Sequence, residues 1–106
     1  MFVYLDKNKL KSIIKSNKGK SYTYGLCKDS GELYYVGLGV KDRILKHHIA
    51  SDIKNNKNRA KINTYLKHGC KFVIFEFNTR DKCAQLEQDI IAKFGRLDLG
   101  TGVLTN

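Results

Sequence analysis

Residues 21–39 read SYTYGLCKDSGELYYVGLG, and their reading decides the fold. Apolar and aromatic residues run on both sides of Asp29, Ser30 and Gly31, a turn-forming triplet, so the stretch is expected to be a β-hairpin. It holds four tyrosines and four glycines. If the loop is even-numbered and Cys27 pairs with Glu32, Leu26 faces Leu33, Tyr24 faces Tyr35 and Tyr22 faces Gly37. Strand alternation then sets Tyr24 and Tyr35 on one face. Gly37 and Gly39 would leave bare backbone beside them, room for a substrate backbone to come close. Packing alone also accounts for such a hairpin, because tyrosine is a strand former and cross-strand tyrosine pairs stabilise sheets.

Working outward, residues 7–17 carry Leu10, Ile13 and Ile14 at helical spacing, with Asn17 and Gly19 as a stop. After the hairpin, Asp42 is placed to cap a helix over 42–55. The polar patch KNNKNR at 54–59 separates it from a weaker helix over 59–67 that ends at His68 and Gly69. KFVIFEFN at 71–78 is rich in β-branched and aromatic residues and reads as a strand. Thr79 caps a helix over 80–94, and Gly95 closes it. The order α-β-β-α-α-β-α predicts an α/β (α+β) fold, a small three-stranded, mainly antiparallel sheet flanked by helices, as one domain over 1–106.

The 20 lysines and arginines outnumber the 10 acidic residues, for a net charge of +10. That imbalance favours a polyanionic partner, nucleic acid first, over a small neutral substrate. Cys27, Cys70 and Cys83 are odd in number and scattered, with no CxxC pair, so neither a disulfide framework nor a zinc knuckle is expected, and a reducing cytoplasm fits. No apolar run approaches the roughly 18 residues of a membrane span, and the opening MFVYLDKNKLK lacks the apolar core of a signal peptide.

On a helix over 42–55, Ile44, Leu45, Ile49 and Ile53 would cover one side, and Arg43, His47, Ala50 and Lys54 would form a stripe on the other. Such a stripe is a solvated face or a phosphate site, with the guanidinium as clamp and the imidazole one turn on as hydrogen-bond donor or acid. On the last helix Cys83, Leu86, Ile90 and Phe94 follow the rhythm of a buried stripe, and Glu87 falls inside it. A carboxylate there calls for a cation, from a structural salt bridge or from a metal ion.

Tyr22-Thr23-Tyr24, Tyr35-Val36-Gly37, Arg43, His47, Glu87 and the closing GVLTN occur in the order and spacing of the GIY-YIG nuclease domain, which the chain resembles from about Ser21 to its end. The first motif departs from the family name, with Tyr22 and Thr23 in place of Gly and Ile, but the reactive tyrosine is kept as Tyr24. GRLDLGTGVLTN is further similar to phage and intron-encoded (homing) members, whose catalytic domain is followed by small DNA-binding modules; no separate DNA-recognition domain is expected in these 106 residues. The resemblance implies a divalent-metal-dependent DNA endonuclease acting in the cytoplasm, the host's if the chain is phage-encoded. Tyr24 would serve or position the base for water, although a free phenol has a pKa of about 10 and so needs nearby positive charge. Tyr35 would support the same pocket, Arg43 would clamp the scissile phosphate, and His47 would bond the phosphate or relay a proton. Glu87 would bind one Mg²⁺, with Mn²⁺ as a substitute, and Asn106 would steady Glu87 and the tail. Tyr22, Gly37, Gly39 and Lys54 would line the approach of DNA. The alternatives are a non-catalytic nucleic-acid-binding module of the same fold and a nuclease acting on RNA or branched DNA.

Overall fold

The computed structural model describes residues 6–41, 44, 54, 58–96, 100 and 102–106. In chain order they form α1 (Lys7–Ser16), β1 (Ser21–Cys27), β2 (Leu33–Val40), α2 (Arg59–His68), β3 (Lys71–Asn78) and α3 (Arg80–Phe94). The strands make one antiparallel sheet in the order β2-β1-β3, flanked by the three helices. The helix expected over 42–55 lies outside the described residues except at Ile44 and Lys54. None of the described helices is long and apolar enough to cross a membrane.

Local chemistry sets the helix bounds. The Asp6 carboxylate accepts from the Lys9 N–H at 2.8 Å and starts α1; the Asn58 and Thr79 side chains do the same for Lys61 and Lys82 at the heads of α2 and α3. Gly69 and Gly95, both at positive φ, end α2 and α3.

β1 is the central strand, and all seven of its residues are buried. One face carries Tyr22, Tyr24 and Leu26, packed with Leu10 of α1, Tyr34 and Ile44, and backed by Ile14, Tyr35, Phe72, Ile74 and Phe77. The other face gathers Cys27, Leu33, Val36, Val73 and Leu104 under Ile90, Ile91 and Phe94 of α3. The Thr23 hydroxyl, which alternates with the tyrosines, donates to the Cys83 carbonyl at 2.7 Å and pins α3 to this second face.

The hairpin register differs from the expected one. Tyr24 lies opposite Gly37, not Tyr35, Tyr22 opposite Gly39, Leu26 opposite Tyr35, and Cys27 opposite Leu33, with an irregularity between Leu26 and Cys27. Two causes act together. Tyr34 is the extra residue of a bulge, its carbonyl held from outside by the Thr105 N–H at 2.7 Å and hydroxyl at 2.8 Å. In addition, a Cβ on Gly37 would overlap the Tyr24 ring and one on Gly39 the Tyr22 ring, so each large residue of β1 sits over an empty position of β2. The step from 35 to 37 is even, so Tyr24 and Tyr35 still share a face.

Gly37→Ala should therefore destabilise the fold by about 1–3 kcal/mol, the range for overpacking a closed site. The same change in a Tyr24→Leu background should cost less, because the ring it strikes is gone. Urea unfolding of the four proteins in this cycle measures both quantities, and equal costs in the two backgrounds would show that the ring does not hold the register.

Candidate active site

The tyrosines of the hairpin divide into two pairs with different work. Tyr22 is 1% exposed; its hydroxyl donates to the Lys41 carbonyl at 3.0 Å and accepts from the Ile44 N–H at 3.1 Å, fixing the chain as it leaves β2. Tyr34 donates to the Gly69 carbonyl at 3.1 Å, and burial pushes its phenol well above the ordinary range. Both are structural. Tyr24 and Tyr35 form the second pair, with ring centroids 6.3 Å apart and planes at 45°. Tyr24 is 3% exposed and Tyr35 half-buried.

Over the Tyr35 ring stands a cation that periodicity did not reveal. The Lys61 ammonium lies 4.2 Å from the ring centroid, and Lys61 is only 3% exposed. Its neighbour Ile62 is the apolar anchor of α2, and a lysine beside such an anchor reads as solvated. Only the docking of α2 on the tyrosine face buries it. An ammonium held over an aromatic ring out of water gains from the ring quadrupole, and in general a nearby positive charge favours the ionised form of a phenol.

The space read as an approach for substrate is occupied. The bare backbone at Gly37 and Gly39 seats the rings of Tyr24 and Tyr22, and Tyr22 itself is enclosed, so these three residues build the hairpin and leave no channel between its strands. Lys54 is exposed and helical. Arg43 and His47 lie outside the described residues; Ile44, between them in sequence, is buried in the cluster that holds Tyr22 and Tyr24.

Glu87 sits on α3, whose apolar residues pack against the sheet face opposite the tyrosine rings. The structure thus brings Tyr24, Tyr35 and Lys61 together and carries Glu87 on the other layer. Glu87 is half-buried, and burial raises its pKa above the ordinary 4.5. Among the described residues it makes no ion pair; the salt bridge seen is Lys28 to Glu32 at 3.3 Å, on the hairpin loop. Asn106 does not reach it either. The Asn106 amide accepts from the Val36 N–H at 3.0 Å and donates to the Val36 carbonyl at 2.6 Å, tying the tail to β2. A side-chain amide has both a donor and an acceptor, which is what the outward backbone of an edge strand lacks.

Cys27 and Cys70 are poor nucleophiles here. Burial is the main cause that pushes Cys27 up to about 11 and also raises Cys70, so both stay protonated near neutrality.

Comparison with models of known protein families, with curated proteins and with solved structures finds no match.

The raised pKa of Glu87 has a measurable consequence. Burial penalises the charged form in the folded state, so the penalty is full at neutral pH and fades as the pH falls through the folded pKa toward the ordinary value of 4.5. Glu87→Gln, measured without divalent ions, should raise the melting temperature near neutral pH, and the gain should vanish below that ordinary value. A mutant that melts lower at neutral pH would reveal a cation partner for the carboxylate.

Proposed function

We propose that the chain is a divalent-metal-dependent endonuclease that hydrolyses DNA phosphodiester bonds. The observation that carries this reading is the pair of phenols, 6.3 Å apart on one sheet face, with the Lys61 ammonium over one of them. A phenol works on water only if positive charge lowers the cost of ionising it, and Lys61 supplies such a charge at a site where water screens it little. Tyr24 accepts the proton of the attacking water or orients it; Tyr35, under the ammonium, holds the phosphate or the water in place. The resemblance adds Arg43 as phosphate clamp and His47 as hydrogen-bond donor.

Glu87 is the residue that would hold the metal. A half-buried carboxylate that burial destabilises, with no cation beside it among the described residues, is relieved by a hard divalent ion such as Mg²⁺ or Mn²⁺. The bound ion would neutralise charge on the phosphorane-like transition state and on the leaving oxygen. The excess of basic residues, for a charge of +10, supports DNA as the polyanion.

A second reading is favoured by one feature. Glu87 and the tyrosine rings belong to opposite layers of the sheet, which suits a nucleic-acid-binding module that performs no chemistry.

Supercoiled plasmid separates the two. The nuclease should nick it in Mg²⁺ and leave it intact in EDTA. Glu87→Gln should abolish nicking and keep DNA binding, since the amide matches the carboxylate in size but binds a divalent ion poorly. Tyr24→Phe should slow single-turnover cleavage by roughly 10² to 10⁴, the usual contribution of an acid–base group. Binding without nicking by the unmodified chain would establish the module instead.

A further inference from the structure

We infer that the cleft between the last turn of α1 and the ends of the three strands holds an unpaired segment of nucleic acid, with a base on the cleft floor and phosphates on its rim. The cleft is about 650 Å³, within the range of ligand sites and large enough for a nucleotide. Its floor is apolar and partly aromatic, made by Ile14, Val40 and Phe77, with the enclosed Tyr22 ring packed behind them. Tyr22 and Phe77 meet edge to face at 5.6 Å and 64°, and Val40, at the end of β2, is 40% exposed. The rim carries Lys15, Lys18, Lys20 and Lys41, all exposed, and no carboxylate lines the cleft among the described residues. One rim position is set firmly. Lys41 adopts a left-handed backbone, φ 53°, with its carbonyl held by the Tyr22 hydroxyl at 3.0 Å.

Charge and shape together select the occupant. Four ammonium groups around an apolar floor need a ligand that joins negative charge to a flat apolar body, and a nucleotide has both in adjacent groups. Single-strand binders combine these elements, a basic groove for the backbone and aromatic side chains under the bases. A duplex keeps its base faces stacked inside, so it can touch the rim but cannot fill the floor. An anionic lipid surface would also meet the lysines, and the test distinguishes it.

The inference shares with the nuclease reading only its polyanionic partner. The experiment is fluorescence anisotropy with a labelled oligothymidylate of about 12 nucleotides, within the site sizes of single-strand binders, and with the matching duplex. The unmodified chain should bind the single strand more tightly than the duplex. Val40→Glu sets a carboxylate in the cleft from an exposed position and should weaken single-strand binding about tenfold, with duplex binding changed less than about twofold. Val40→Gln, alike in shape but uncharged, should retain most of the affinity. Lys15→Gln with Lys18→Gln should flatten the salt dependence of single-strand binding by up to about one released counterion per lysine. Equal affinity for single strand and duplex, or no loss in Val40→Glu, would overturn the inference, as would binding to phosphatidylserine vesicles with none to the oligonucleotide. Plasmid nicking by Val40→Glu, run alongside, keeps the two readings apart. Nicking at the unmodified rate with single-strand binding unaffected would sink the cleft and leave the nuclease standing, while single-strand binding lost on mutation in a chain that never nicks would do the reverse.

Discussion

Two tyrosine rings seated on two glycines hold the rest of the structure in place. Tyr24 over Gly37 and Tyr22 over Gly39 fix how β1 meets β2, because any other pairing that keeps the faces would set a ring against a side chain. From that seat the remaining positions follow. Tyr35 comes opposite Leu26 and beside Tyr24, and Tyr34 is left as the bulge that the tail grips. The Tyr22 hydroxyl is left at the end of β2, where it captures the backbone of Lys41 and Ile44. A glycine that looks like an opening in a sequence is here a socket.

The seat also explains why phenols so close in sequence differ in chemistry. Those whose hydroxyls bond to backbone, Tyr22 and Tyr34, spend their polarity on the fold. Tyr24 and Tyr35 lie side by side with tilted rings, and the buried Lys61 of α2 brings a full charge over Tyr35. Burying an ammonium is costly, and the Tyr35 ring offsets part of that cost.

Much of the architecture was legible because it is written in short-range signals. Thr79 and Gly95 bound α3, Gly69 ends α2, and KFVIFEFN matches β3 from Lys71 to Asn78. Glu87 within an apolar stripe was likewise readable, and it is half-buried as that position requires. The register was not legible, since it depends on volume complementarity between residues more than ten apart and on a bulge stabilised by Thr105, far along the chain. Lys61 was hidden for a similar reason. Nothing local separates a lysine that snorkels to water from one that a neighbouring sheet encloses. The layer on which Glu87 falls follows from the contact of Thr23 with Cys83, which no periodicity encodes.

The tail has a consequence for how the protein keeps to itself. β2 lies at the border of the sheet, and a bare border strand offers its N–H and C=O groups to any passing chain. Residues 105 and 106 occupy part of that border from within: Thr105 takes the Tyr34 carbonyl, and Asn106 closes both polar groups of Val36. Thr105 and Asn106 therefore act as an intramolecular guard against sheet extension through β2. Losing the Thr105 and Asn106 contacts while Leu104 stays in its core would keep both cores and yet produce a molecule prone to polymerise through β2, a change in colloidal behaviour from the loss of a few hydrogen bonds.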